Sequence, residues 1–427
     1  MEKLKMQNSI IRRIKGTDDI LPREVNEWSN IEGCARKTFS IYRYQEIRTP
    51  VLEQTGLFVR GVGSETEIVQ KQMYTFQDRA ARNISLRPEG TAPIIRAYLE
   101  NQIGLNGSLV KVFYIQPMFR AERPQAGRNR QFHQIGAEAI GSYSPLLDVE
   151  MIALNRSVLL SFGIEDFIIK LNSVGCKEDK EKYSKILYEH ISAKQEFLCS
   201  DCKARLNQNP LRILDCKVPK CREIVKGSPP LILIQCKECK DHYENLKQGL
   251  SALNIRYEQD NHLIRGLDYY TKTVFEIVHS RLGSQDTISA GGRYDNLVEE
   301  LGGKPTGCCG FAIGVERVII LRKVLNISLQ EKISALTFIA TIDEDGRLKG
   351  LSLSEAIRRF SMPVAMDFQG RSLKSQMRYA NKLGARWVII IGEDEMKNNC
   401  VTIKLMTDGV QETLPFDVHK IVEKLKG

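Results

Sequence analysis

A chain of 427 residues, 42% hydrophobic and 27% charged, is long enough to bury two or three cores and has the balance of a folded, water-soluble protein. Sixty-two Lys and Arg against 52 Asp and Glu leave a net charge of +10, which favours a polyanionic partner such as nucleic acid or a phosphorylated substrate. No run reaches the roughly eighteen apolar residues of a membrane span, and the start MEKLKMQNSIIRRIKG lacks the apolar core of a secretion signal; a cytoplasmic protein is expected, its eleven cysteines reduced or ligating metal.

Along the chain, Trp28, Ile31, Ala35, Phe39 and Tyr42 recur at helical spacing and predict a first amphipathic helix within 18–42. Between about 66 and 140, short alternating runs such as MYTFQ, NISLRPE and VKVFYIQ predict antiparallel strands, with one helix at APIIRAYLENQI. A helix from about 145 to 160 and a strand at DFIIKLNS follow. Residues 176–255 then turn lysine- and cysteine-rich and read as a helical insertion between strands of one sheet. Strands resume at HLIRGLDYYTKTVFEIVHS and TISAGGRYD. A boundary falls near 325–333, so that 1–325 form one domain and 333–427 a second, where strand and helix alternate as in a small α/β unit with a mainly parallel sheet.

Chemistry concentrates at four places. In YIQPMFRAERPQAGRNRQFHQIGAE, residues 114–138, strand alternation puts Met118, Arg120 and Glu122 on one face, and Phe132, Gln134, Gly136 and Glu138 on one face of the return strand. An aromatic plate among polar groups fits a ligand with a flat ring and ionic ends; a solvated charged hairpin is the plainer alternative. In SLRPEGTAP, Arg87, Glu89 and Thr91 are expected to share a side just before a helix. Glu89 and Thr91 there suit an ammonium group, unless Thr91 simply caps that helix. RGLDYYT at 265–271 pairs with AGGRYDN at 290–296, whose adjacent Gly291 and Gly292 predict a close approach to the backbone, a ligand floor. In GFAIGVERVIILRK a strand runs into a helix with Arg317 in its first turn, where a cation opposes the helix dipole unless it serves a phosphate. There is neither a GxxxxGK[ST] loop nor a strand–GxGxxG–helix fingerprint, so any nucleotide must sit on antiparallel strands.

At these residues the sequence resembles the class II aminoacyl-tRNA synthetases, and among them the histidyl-tRNA synthetase family. RTPVLE resembles the class's first motif, at the dimer interface, FRAERPQAGRNRQFHQ its second and GFAIGVERV its third. LRPEGT, RGLDYYT and AGGRYDNL resemble motifs of the histidine family. The resemblance implies an α+β fold: a class II antiparallel sheet flanked by helices, with the helical insertion and a C-terminal α/β anticodon-binding domain. It implies a homodimer that activates L-histidine with ATP and Mg2+ to histidyl-adenylate and pyrophosphate, then transfers histidine to the terminal ribose of tRNA(His).

Carried over residue by residue, the resemblance gives Arg120 and Glu122, Phe132 and Arg317 to ATP: Arg120 at the α-phosphate, Phe132 stacked on adenine, Arg317 at the γ-phosphate. Arg265 is the expected catalytic residue beside Arg120, offsetting charge that develops at the α-phosphorus. Glu89, Thr91 and Gln134 would bind the α-amino group of histidine, while Glu138, Tyr269, Tyr270 and Tyr294 would surround its imidazole. Arg123, Gln125 and Arg130 would meet the acceptor end of the tRNA, and Arg371 and Lys374 its anticodon region. Of the insertion cysteines, Cys199, Cys202, Cys236 and Cys239 make two CxxC pairs, read either as a four-thiolate Zn2+ site or as reduced thiols. A catalytically inactive histidine-binding regulatory paralogue is the alternative, though such chains usually lack the C-terminal domain and erode the ATP and RGLDYYT residues.

Overall fold

The computed structural model describes residues 10–104, 107–125, 127–214, 216, 218–327 and 336–426. The chain divides into two compact units, 1–329 and 330–427. The expected boundary segment near 325–333 falls largely on residues outside those described.

The first unit is organised by an eight-stranded sheet of β1 (Gln45–Glu46), β5 (Val110–Phe119), β6 (Gln131–Ile140), β7 (Ile168–Ser173), β8 (Glu258–Gln259), β9 (Thr271–Val278), β10 (Thr287–Arg293) and β11 (Cys308–Gly314). A small side sheet holds β2 (Leu52–Gln54), β3 (Thr75–Gln77) and β4 (Asn83–Leu86). In space the large sheet runs β1-β5-β6-β11-β10-β9-β7-β8. Its six central strands pair antiparallel and only the two short edge strands, β1 on β5 and β8 on β7, pair parallel. The alternating sequence runs account for this: a half-buried antiparallel strand repeats every two residues.

One face of the sheet is covered by helices Pro22–Ile41, Pro145–Ser161 and Lys237–Ala252. The first buries Ile31, Ala35 and Phe39 at four-residue spacing, and Phe39 stacks on Phe113 of β5 with ring centres 4.4 Å apart. Lys237–Ala252 puts Tyr243, Leu246 and Leu250 into this same core. The last part of the stretch expected as an insertion, 176–255, is thus a layer of the main fold. Helices Lys177–Ser192, Ser200–Gln208 and Pro219–Lys226 instead contribute to a separate small core with Tyr183, Leu187, Leu206 and Ile224.

On the sheet's other face Val112, Met118, Ile140 and Val274 form a second core with Ile94 and Ile95 of helix Thr91–Glu100, and polar side chains and aromatic rings take the area beside it. A buried cluster ties the helical layer to the sheet. Asp148 of helix Pro145–Ser161, 1% exposed, pairs with Arg293 of β10, 0% exposed, and accepts hydrogen bonds from Thr273 at 2.6 Å and His242 at 2.7 Å. The Arg293 guanidinium holds the Asp148 carboxyl at about 2 although burial pushes it up.

The second unit carries a five-stranded sheet, β12 (Thr337–Thr341), β13 (Val364–Met366), β14 (Trp387–Ile391), β15 (Cys400–Leu405) and β16 (Gln411–Pro415), in the order β13-β12-β14-β15-β16. The first three strands are parallel, as alternation of strand and helix predicts. The sheet is not mainly parallel, however, because MKNNCVTIKLMTDG and the residues after it form an antiparallel hairpin on β14. Helices Glu344–Arg358 and Val418–Lys426 share one core with the sheet, and Leu373–Lys382 joins another through Ala380. No helix among the described residues is long and apolar enough to cross a membrane.

Candidate active site

A cavity of about 450 Å³ opens on the polar face of the large sheet. Its walls come from β6, β10 and β11, from the segment 265–270 before β9, and from the start of helix Thr91–Glu100. The β5/β6 register places Met118 opposite Phe132, Gln116 opposite Gln134 and Tyr114 opposite Gly136, so the alternation expected from sequence holds on the return strand; β5 ends at Phe119, and of the face expected on it only Met118 is strand, Arg120 and Glu122 lying in the loop beyond.

Three glycines make the back wall possible. The Tyr114 ring lies where a Cβ on Gly136 would meet it at 2.4 Å, and a Cβ on Gly90 would meet the same ring at 2.4 Å. A Cβ on Gly310 would fall 1.7 Å from the Glu138 carboxylate. Gly291 and Gly292 do admit close neighbours, but these belong to the protein: the Gly310 carbonyl and Phe275 ring approach the first, the Thr273 carbonyl and Tyr270 ring the second. The expected ligand floor is formed instead by Ala290, Gly310, Ala312 and Gly314.

At one end three tyrosines converge. Tyr269 lies 4.8 Å from Tyr270 and 5.5 Å from Tyr294 by ring centres, and all three line the cavity. Glu138 does not line it. Its carboxylate is 1% exposed and accepts from the Thr91 hydroxyl at 2.8 Å and from the Tyr294 hydroxyl, so it reaches the cavity through those two groups. Burial raises its pKa to about 8. Glu89 lines the cavity while its oxygens accept from the backbone N–H of Thr91 at 2.7 Å and Ala92 at 2.8 Å, capping the helix. Burial raises its pKa as well. Gln134 is different: its Oε1, buried at the cavity wall, has no hydrogen-bond donor within the protein. Such an acceptor costs about 1–3 kcal/mol unless a ligand donor meets it.

At the other end the cations gather. Arg120 donates to the Pro88 carbonyl at 2.9 Å and its guanidinium lies 5.1 Å from the centre of the Phe132 ring. Arg317 donates to the carbonyls of Gly127 and Thr287, and Glu122 pairs with Arg128 at 3.6 Å. Arg265 pairs with Glu276 and sits 5.9 Å from the Tyr270 ring centre. Burial lowers the pKa of Arg120 and Arg317, a cost that an anionic ligand between them would offset.

Several expected residues sit elsewhere or do other work. Arg87 does not share the Glu89 and Thr91 side. The strand ends at Leu86, and the Arg87 guanidinium turns inward, 2% exposed, donating to the carbonyls of Thr49 at 2.7 Å and Pro117 at 2.9 Å. Arg130 donates to the Lys15 carbonyl at 3.2 Å and the Glu122 carbonyl at 3.4 Å, pinning the KGTDD segment to the β5/β6 loop. Arg123 and Gln125 are exposed on that loop. In the second unit Arg371 folds over the Tyr379 ring at 4.2 Å and pairs with Asp367 at 3.4 Å, while Lys374 is exposed. The four-thiolate set of Cys199, Cys202, Cys236 and Cys239 is not formed: Cys199 and Cys202 converge with Cys216 and Cys221, whereas Cys236 and Cys239 lie with Cys176 and Asp179.

The sequence reading missed two cations of the insertion that hold the 265–270 segment. Lys180 donates to the carbonyls of Asp268, at 3.2 Å, and Tyr270, and Arg212 pairs with the Asp268 carboxylate. Nothing in their local sequence separates them from their exposed lysine and arginine neighbours.

The chain is similar to known proteins over nearly its whole length. Residues 16–318 match the family model described as histidyl-tRNA synthetase, and 337–426 that described as anticodon binding domain. The chain is 48% identical over 406 residues to the histidine–tRNA ligase of Thermosipho melanesiensis, covering 95% of this chain and 96% of that one. It is 46% identical over 401 residues to the histidine–tRNA ligase of Halothermothrix orenii, covering 94% and 96%. The crystal structure of apo histidyl-tRNA synthetase from S. aureus superposes with a TM-score of 0.82 at 34% identity, over 98% of this chain and 100% of that one.

Proposed function

The chain belongs to the histidyl-tRNA synthetase family and is a histidine–tRNA ligase, and from that premise we propose that the cavity on β6, β10 and β11 is where histidine and ATP react. The enzyme activates histidine with ATP to histidyl-adenylate and pyrophosphate and then esterifies the terminal ribose of its tRNA. The family uses ATP with Mg2+. The regulatory-paralogue alternative is not favoured, because the ligases matched extend over nearly the whole chain and the anticodon-binding unit is present.

The unpartnered Gln134 Oε1 carries the reading of the amino-acid end. An ammonium group donates and cannot accept, so it suits an orphan acceptor beside the Glu89 carboxylate. With the α-amino group there, the imidazole falls among Tyr269, Tyr270 and Tyr294, and Glu138 orients the Thr91 and Tyr294 hydroxyls from behind. ATP then extends toward Arg120, Glu122, Phe132 and Arg317: the flat ring meets Phe132, Arg120 and Arg265 face the α-phosphate, and Arg317 the γ-phosphate. Arg265 stabilises charge that grows as the histidine carboxylate attacks and pyrophosphate leaves.

Gln134→Ala is expected to raise the KM for histidine about 10- to 100-fold in ATP–pyrophosphate exchange, the loss of one hydrogen bond to a charged group. An unchanged KM would take Gln134 out of the site. Arg123 and Gln125, exposed at the tip of the β5/β6 loop, are assigned to the tRNA acceptor end, and Lys374 to the anticodon region. Arg130 and Arg371, already bound within the protein, act there by shaping the surface. Arg123→Ala is accordingly expected to leave exchange alone and slow tRNA charging; equal effects on both would place it with ATP.

The homodimer and the cytoplasmic setting belong to the same proposal. The dimer's support is the apolar face of the side sheet: Leu52, Ile84, Leu86 and Phe76 share one side by register, and Leu52 and Phe76 are 49% and 47% exposed. A monomer mass by sedimentation at assay concentration would refute the dimer.

A further inference from the structure

Four thiols of the insertion point at one another. The Sγ atoms of Cys199, Cys202, Cys216 and Cys221 all lie within 4.8 Å of each other, and those of Cys199 and Cys216 are 3.9 Å apart. A tetrahedron of sulfurs about 2.3 Å from a central zinc has edges of about 3.8 Å, whereas a disulfide needs about 2.05 Å. Cys202, Cys216 and Cys221 are buried and Cys199 partly so. The backbone N–H of Cys199 donates to the Cys221 sulfur at 3.3 Å, the kind of bond that steadies a thiolate ligand. Cys199 and Cys202 flank the start of helix Ser200–Gln208, and Cys221 lies in the first turn of Pro219–Lys226, so two helix N-termini face the cluster and favour its negative charge. The small core around them, with Tyr183, Leu187, Leu206 and Ile224, is a scaffold of the size that commonly needs a staple.

We propose that Cys199, Cys202, Cys216 and Cys221 bind a structural zinc ion, which fixes the intervening segment that carries Arg212 to Asp268 beside the catalytic cavity. Four sulfur ligands in tetrahedral array select zinc over harder divalent ions. Cys202 and Cys216 bracket the turn Pro210–Ile213, and its Arg212 meets the Asp268 carboxylate two residues before Tyr270. The neighbouring group of Cys176, Asp179, Cys236 and Cys239 is built differently. Its Asp179 carboxylate is taken up by the backbone N–H groups of Cys236, at 2.8 Å, and Cys176, at 3.4 Å, where it joins the starts of two helices.

The full chain, expressed with zinc available and dialysed against metal-free buffer, is expected to retain about one zinc per chain. Blocking thiols with an organomercurial should release it, and Co2+ put in its place should show sulfur-to-cobalt charge-transfer absorption. Cys216→Ser should lose the zinc or weaken that band, and Cys236→Ser should leave both as they were. Hydrogen exchange at residues 265–270 should quicken once the metal is stripped. Less than about a tenth of an equivalent of zinc, or zinc lost in Cys236→Ser yet kept in Cys216→Ser, would overturn the site. Unchanged exchange at 265–270 after stripping would overturn its grip on Asp268. Should Cys216→Ser fail to fold, mercurial titration of the native chain still decides, since zinc that stays bound after its thiols are blocked is not held by cysteine.

Discussion

Replacing Arg265 with alanine is expected to slow histidyl-adenylate formation by about two to three orders of magnitude, while histidine binding stays within a few-fold of normal. The size follows from what is removed: a fixed cation facing charge that develops at the α-phosphorus in a partly closed site, worth about 2.7–4 kcal/mol where similar groups have been deleted. Arg265 is held for that task by Glu276 on one side and the Tyr270 ring on the other, so the guanidinium does not need to be ordered at each turnover. At the amino-acid end Gln134 and Glu89 stand on other elements, and Tyr269 and Tyr270, although they share the 265–270 segment, keep the hold of Lys180 and Arg212 on it, so histidine binding should survive the change. Single-turnover adenylate formation with saturating ATP, beside equilibrium binding of histidine, separates the two effects. A rate within threefold of the parent would remove Arg265 from catalysis; a matching loss of histidine binding would make it a substrate-binding residue.

The second large effect concerns stability. Asp148→Ala leaves Arg293 buried without its main counter-charge and deprives Thr273 and His242 of their acceptor. Breaking a buried pair from one side costs about 3–5 kcal/mol, which for a unit of this size lowers the apparent Tm by roughly 4–8 °C. Differential scanning calorimetry checks it, and a shift under 2 °C would show that the cluster is replaceable. The same carboxylate gives a pH dependence. Its folded pKa, about 2, lies below the ordinary value of 3.8, so its contribution is fully present above about pH 4 and is lost as pH falls toward 2. The parent should therefore lose stability across that window more steeply than Asp148→Ala, which has no such group to protonate.

The β5/β6 hairpin could be read directly because a strand's two-residue period decides which side chains share a face, and nothing distant was needed to put Phe132, Gln134 and Glu138 together. The same rule misled at Arg87, where alternation was carried past Leu86 into a segment that is no longer strand. Gly136 was placed on the right face, but its reason lay in Tyr114 and Gly90, side chain and backbone from other segments. The double glycine 291–292 signalled close approach without saying whose atoms came close. Cysteine spacing has the same limit: CxxC shows that two thiols share a turn, while the partner of each pair depends on how helices far apart in sequence meet. In the second unit, MKNNCVTIKLMTDG lacked a contrast that would separate a hairpin from a strand and helix, so the antiparallel half of that sheet was missed.

The strand order has a consequence for how the protein is made. β6, which carries Phe132, Gln134 and Glu138, finds β5 at once, but its other neighbour is β11, and residues 141–307 lie between them. On a ribosome adding about 5–20 residues per second, β6 therefore waits some 9–35 s with one edge open, while the insertion and four further strands of the sheet, β7 to β10, emerge. For that interval a nascent chain presents an unpaired row of backbone donors and acceptors that another nascent chain can pair with. Translation must pass Gly314 before the edge is covered, so a pause within the insertion lengthens the time in which the active-site strand is open to misassembly.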